Sequence, residues 1–411
     1  MKKKSLALLL TLLLLLPACG GSSYRAESLS VSVKASAVDE GNLNGPGAEA
    51  ITAFAVDLLQ KAGREENVLL SPVSVMAALA MTANGAASET LTQMEAMFGL
   101  PMAELNPYLH TYLSQLPSSK NAKCVPANSV WFRDDGQLQV EETFLQTNAD
   151  YYNAEIFAAP FDASTVKDIN SWIDRNTDGL IPQMLEEVPP EAMLYLINAL
   201  VFDAEWREEY RSNQIREGEF FPEAAPPRSV QIMNSEEPLW LEDELASGFI
   251  KYYKDATYAF AALLPNEGVS LDEYIASLTG ESLRQTLVNA EATLVETSIP
   301  QFTCEYSQEL SEVLQAMGMT NAFDPLAADF SAMGAHPAGN LYISLVLHKT
   351  YLSLDDKGTK AAAATIVESP AECAPAPNPK IVRLDRPFVC MLIDCDTRLP
   401  LFIGAIRDIG E

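Results

Sequence analysis

The sequence predicts a single large α+β domain, and three features carry that reading. Apolar patterning runs from about Ala48 to Glu411 without a second low-complexity break, so no internal boundary is visible, although length alone suggests two domains. Helical and strand signals alternate inside that stretch: Ala53, Phe54, Val56, Leu58 and Leu59 read as an amphipathic helix, and the short apolar run Asn67-Val68-Leu69-Leu70 that follows reads as a strand. Ser71-Pro72 then opens a further helix. Ser71 is placed to accept a backbone N–H as its cap, and Pro72 suits the first helical position, where its missing N–H is not needed.

The domain follows a processing signal and a spacer. Lys2, Lys3 and Lys4 lead an almost wholly apolar run from Leu6 to Leu16, closed by Pro17-Ala18-Cys19. That run is too short for a permanent membrane helix, which needs about 20 residues. An ordinary secretion signal is one reading. Leu16 three places before Cys19 and Ala18 directly before it fit a lipoprotein signal better, so residues 1–18 are read as that signal and Cys19 as the lipidated residue. The chain is then expected to be exported and anchored by lipid at a bacterial cell surface, with release into the medium as an alternative. Residues 19–47 are Gly, Ser, Ala and Asn with scattered charges and read as a flexible tether, leaving 48–411 as the folded domain.

Composition excludes several classes of function. Loss of Lys2 to Lys4 with the signal moves the formal charge from −29 to −32. Such acidity argues against nucleic acid or anionic lipid as a partner, since both require basic patches. Of six cysteines, Cys19, Cys124, Cys304, Cys373, Cys390 and Cys395, an odd number is left once Cys19 carries lipid, so no regular disulfide framework is expected. Cys390 and Cys395 flank a strand end and could pair, but buried free thiols are preferred. The three histidines, His110, His336 and His348, fall in no metal-binding or hydrolase pattern. Gly45-Pro46-Gly47 begins a dinucleotide-loop pattern only superficially, because no strand precedes it. No enzyme, cofactor or metal is expected.

Beyond Asn67 the chain resembles the serpin family, and the likeness runs to the C-terminus. It is carried in order by Asn67–Leu79, Asn84-Gly85-Ala86 with Thr90–Gln93, Ala127–Trp131, Ile169–Ile173 ended by Thr177-Asp178-Gly179, Leu196–Trp206, Pro387-Phe388-Val389 and Pro400–Gly404. The resemblance implies three β-sheets with about eight or nine helices and an exposed reactive-centre loop at about 356–380. It also implies that Ser71, Ser74, Asn198 and His348 form the polar cluster behind the main sheet termed the shutter. Trp206 would mark the breach, where insertion into the sheet begins. A lone buried histidine or strand-end aromatic is ordinarily core, so both roles rest on the resemblance.

The segment from Leu354 to Ser369 carries the functional reading. Four consecutive alanines favour a helix on propensity alone. A second regularity opposes it: Thr359, Ala361, Ala363, Thr365, Val367, Ser369 and Ala371 are uncharged and small or medium, whereas Lys360, Glu368 and Glu372 occupy the alternate positions. In a strand these sets face opposite sides. Small side chains permit insertion between packed strands, and the absence of proline from Thr359 to Ser369 leaves every ladder N–H available. The hinge is therefore assigned to Asp356, Gly358, Thr359, Lys360, Ala361, Ala362, Ala363, Ala364 and Thr365.

The resemblance then implies a monomeric suicide substrate of serine, or else cysteine, endopeptidases. The protease attacks the loop, and the cleaved loop inserts into the main sheet while still bound as an acyl-enzyme. Lys360 replaces the glutamate usual in family hinges, and its solvent-facing register predicts tolerance. Counting from Gly358 puts the reactive bond at Glu372-Cys373, whereas counting back from Pro387 shifts it toward Ala376, with Ala371 and Ala374 also open. The residues around these bonds suit the shallow pockets of elastase-like or subtilisin-like enzymes. A non-inhibitory serpin acting as a binding or chaperone-like surface protein is the alternative.

Overall fold

The computed structural model describes residues 24–63, 65–116, 122–177, 179, 183, 185–189, 191–359 and 380–409. The chain begins with β1 (Glu27–Ser28), α1 (Gly47–Lys61), β2 (Val68–Leu70), α2 (Pro72–Ala83), α3 (Ser88–Phe98) and α4 (Met102–Gln115). It continues with β3 (Ala122–Arg133), β4 (Gln139–Val140), α5 (Glu142–Tyr152), β5 (Glu155–Ala159), α6 (Ala163–Asn176) and β6 (Leu194–Glu205). Then come β7 (Ile215–Phe220), β8 (Arg228–Glu237), β9 (Leu239–Glu242), β10 (Ala246–Tyr252), β11 (Tyr258–Pro265), α7 (Leu271–Ser277), α8 (Gly280–Val288) and β12 (Val295–Pro300). The last part holds β13 (Phe302–Glu309), α9 (Ser311–Ala316), β14 (Gly334–Ala335), β15 (Ile343–Leu354), β16 (Gly358–Thr359), β17 (Lys380–Arg383), β18 (Phe388–Asp394) and β19 (Pro400–Ile406).

These strands form an α+β architecture of three main sheets and a two-stranded ribbon. The largest sheet has the order β1-β5-β3-β6-β16-β15-β13, the second β2-β19-β18-β11-β10-β9 and the third β17-β12-β8-β7. The apolar core fills the space between the first two. Its composition explains the central elements: β6 is buried from Leu194 to Phe202, the mark of a strand covered on both faces. Every residue of α2 is buried, as expected of a helix that is apolar all round and lies behind a sheet.

On β6 the faces separate cleanly. Leu194, Leu196, Leu200, Phe202 and Ala204 point into the main core, whereas Tyr195, Ile197 and Ala199 point outward against Ile169, Trp172 and Ile173 of α6. Helix α6 thus lies across the outer face of the sheet. Its start is fixed by Asp162, whose carboxylate accepts the Ser164 N–H at 2.7 Å.

The structure differs from the expected tether from Tyr24 onward. Glu27 and Ser28 pair with Ala158 and Phe157 of β5 and extend the large sheet at its edge. Asp168 of α6 accepts the N–H groups of Arg25 and Ala26 at 2.7 and 2.8 Å, and Tyr24 packs edge-on against Phe157. A segment without periodic apolar residues is held here by backbone bonds, with Ala26 and Tyr24 packing against the outer cluster, which composition does not reveal.

Candidate functional site

At the middle of the large sheet β6 and β15 run parallel and are paired from Leu194 with Ile343 to Leu200 with Thr350. Asn198 and His348 face each other in this register and point toward α2. The His348 ring accepts the Ser71 N–H at Nε2, 3.1 Å away, so Nδ1 carries the proton and donates it to Asn198 Oδ1 at 2.6 Å. The Asn198 amide in turn donates to Ser74 Oγ and to Asn128 Oδ1 on β3. Three strands and a helix are therefore tied by one small network. Burial pushes the His348 ring from 6.5 down to about 3, so it is neutral.

The predicted shutter residues Ser71, Ser74, Asn198 and His348 are thus brought together, with one correction. Ser71 precedes α2 but makes no side-chain cap, and its Oγ has no partner among the described residues. Its backbone N–H serves the His348 ring instead. Asn128 is a member that sequence reading missed, because its place opposite Asn198 is set by the register of β3 on β6.

Above Leu200 and Thr350 the two strands diverge, and the top of the gap is occupied by β16. Gly358 pairs with Glu205 of β6, and Thr359 pairs with both Ala204 of β6 and Leu354 of β15. Glycine is required at 358: a Cβ there would lie 2.1 Å from the Ala204 carbonyl oxygen. Thr359 is buried, and its Oγ1 meets the Tyr253 hydroxyl at 2.5 Å. Asp355 shapes the turn into β16, its Oδ1 accepting the N–H groups of Lys357 and Gly358 at 2.8 and 3.1 Å.

Trp206 holds this turn. Its indole N–H donates to Asp355 O at 2.8 Å, its backbone N–H to Lys357 O at 2.7 Å, and the Tyr210 N–H reaches Asp356 O at 2.9 Å. The indole stacks on Tyr253 with ring centres 4.5 Å apart and planes within 5°. Below it the Lys251 ammonium pairs with Glu237 at 2.8 Å and sits 4.5 Å from the centre of the Tyr210 ring, fully inside the protein. Tyr253, Lys251 and Glu237 carried no sequence signal; they reach Trp206 only through the packing of β10 and β8 against the end of β6.

Of the predicted hinge, Asp356, Gly358 and Thr359 are placed in this way. Lys360, Ala361, Ala362, Ala363, Ala364 and Thr365, the reactive-bond candidates Ala371, Glu372, Cys373, Ala374 and Ala376, and Cys19 lie outside the described residues. Cys124, Cys304, Cys390 and Cys395 are free thiols. Burial pushes Cys124, Cys304 and Cys395 up to about 12, and Cys390 also upward, which removes their nucleophilicity.

The chain belongs to the serpins: residues 49–409 match the family model described as Serpin (serine protease inhibitor). It is 30% identical over 378 residues to the uncharacterized serpin-like protein TK1782 of Thermococcus kodakarensis, spanning 88% of this chain and 86% of that protein. Among solved structures it is similar to the thermophilic serpin tengpin in its native state, with 44% identity and a TM-score of 0.90 over 93% of this chain and all of that one. Against latent tengpin the identity is 42% and the TM-score 0.80, over 90% of this chain and all of that one. Membership of a family of protease inhibitors fits a protein that binds proteases rather than one that turns substrate over.

Proposed function

We propose that this serpin is inhibitory, a suicide substrate of serine endopeptidases whose cleaved loop becomes a new strand between β6 and β15. The protease serine attacks a loop carbonyl, the peptide bond breaks, and the C-terminal part leaves as a free amine. The N-terminal part stays esterified to the protease. Insertion of that part carries the enzyme toward the foot of the sheet, which distorts its active site and halts deacylation.

The observation that carries this reading is the position of Thr359, already paired on both sides at the mouth of the gap. Continuing that antiparallel register, each step along the loop moves one residue back on both strands. Ala361 falls between Phe202 and Leu352, Ala363 between Leu200 and Thr350, and Thr365 between Asn198 and His348. All of these neighbours face the main core, so the small, uncharged set of the hinge coincides with the inward face. The alternate set faces outward, and at Ala199, Ile197 and Tyr195 that face is covered by α6, which must shift to admit Ala364, Ile366 and Glu368.

Targets with shallow specificity pockets, elastase-like or subtilisin-like, suit the residues from Pro370 to Ala376. The same proposal places the chain outside the cell as a monomer tethered through lipid on Cys19, on the strength of the apolar run and the small residues before that cysteine. Incubation with a panel of such proteases should give a complex that survives boiling in detergent, and mass spectrometry of the released peptide identifies the reactive bond. Cleavage by every protease with none retained would instead favour a non-inhibitory binding protein.

A further inference from the structure

At the foot of the large sheet, where β6 and β15 begin, lies a cavity of about 420 Å³ between the chain leading from α6 into β6 and helix α9. Leu185, Ala192, Phe323, Ile343 and Leu345 give it an apolar body, and the rings of Tyr195 and Tyr342 add two aromatic walls. It is preformed: the Tyr342 hydroxyl donates to the Glu191 carbonyl at 2.8 Å, and the Met193 N–H donates to Ser344 Oγ at 2.8 Å. Its size is that of a small-molecule site, about 300–1,000 Å³.

Two features define what it would hold. Ser311 lines the cavity at 8% exposure, and its Oγ has no hydrogen-bond partner among the described residues. A buried hydroxyl without a protein partner is left for a ligand to meet, and a polar ligand atom there gains a hydrogen bond. At the rim stand the carboxylates of Glu187 and Glu191, both exposed, and no Lys, Arg or His is found among the described lining residues. Burial first, and then the charges of Glu191 and Glu187, push the Tyr195 phenol up to about 12. An anion is repelled there, and a purely apolar molecule offers Ser311 Oγ no hydrogen bond.

We propose that this cavity binds a small cationic amphiphile, an aromatic body carrying a ring N–H and an alkylammonium arm. The ring fills the apolar interior with its N–H on Ser311 Oγ, and the ammonium lies at the rim between Glu187, Glu191 and the phenol faces. Nothing in this assignment depends on loop insertion.

Tryptamine is the probe. Isothermal titration of the whole mature chain should detect tryptamine and find indole-3-acetate, which has the same ring and the opposite charge, bound at least about tenfold more weakly. The double variant Glu187→Gln/Glu191→Gln changes two exposed side chains and should weaken tryptamine by about fivefold. Ser311→Ala should weaken it by about threefold, with a melting temperature no lower than that of the wild type showing that the fold is intact. Absence of tryptamine binding up to millimolar concentration, equal binding of the acid and the amine, or unaltered affinity in both variants would each overturn the assignment.

Discussion

Nδ1 of His348 stands 2.6 Å from Oδ1 of Asn198, and this bond crosses the seam between β15 and β6 that the cleaved loop is proposed to open. Both groups are neutral and buried, so the seam is closed by directional bonds that can be exchanged. By the proposed register, Thr365 would arrive between them and bring a hydroxyl able to replace what is lost. The network ties β15, β6 and β3 together across this seam.

The His348 ring gives a pH signature. Its ordinary value is 6.5 and its folded value about 3, so below pH 6.5 the unfolded chain takes up a proton that the folded chain refuses. Stability is unaffected by this group above pH 6.5 and falls by about 1.4 kcal/mol per pH unit from there toward pH 3. Asp135, Asp162, Asp329 and Asp408 are held below 3.8 by hydrogen bonds, so their contributions disappear only at lower pH. Urea denaturation between pH 7 and 5 should show a slope in the wild type that His348→Gln lacks; parallel slopes would refute the assignment.

Gly358→Ala forces a methyl group against the Ala204 carbonyl oxygen and should expel β16 from the gap. Insertion then loses its starting point, and the protease deacylates before being trapped. The number of inhibitor molecules consumed per enzyme inactivated should rise several-fold at unchanged cleavage rate.

Ala363→Arg places a charge between Leu200 and Thr350, both buried, with no partner for it. The variant should be cleaved as a plain substrate, with no detergent-stable complex. Undiminished trapping would show the register to be wrong.

Much of this arrangement was legible because it is local. The helical pattern of α1, the short strand Val68–Leu70 and the Pro72 that opens α2 are all properties of consecutive residues. Cross-strand partners are not: Asn128 beneath Asn198, Tyr253 beneath Thr359 and the buried Lys251–Glu237 pair follow from register and packing. The N-terminal segment misled for another reason, since it is fixed by backbone donors to Asp168 and by edge pairing, neither of which needs an apolar pattern.

That attachment has a measurable worth. Asp168→Ala leaves the Arg25 and Ala26 N–H groups without their acceptor and should destabilise the chain by about 1–3 kcal/mol. Limited proteolysis should then cut near residues 24–30 faster than in the wild type; an unchanged cleavage rate would mean that the carboxylate does not hold the segment.

By the proposed register, inserted Lys360 would lie beside Asp203 on the outward face of β6. Lys360→Glu should lower trapping efficiency modestly, by about threefold or less for an exposed pair. Reversal of both residues should restore it, and failure of the double variant to recover would separate the two positions.

The account rests on the loop becoming a strand between β6 and β15, and comparing the melting temperature of the intact chain with that of the chain nicked in its loop tests this most directly. A filled sheet predicts that the nicked protein melts well above the intact one. Equal melting temperatures would mean that the cut loop remains outside the sheet, and the proposed mechanism would fail.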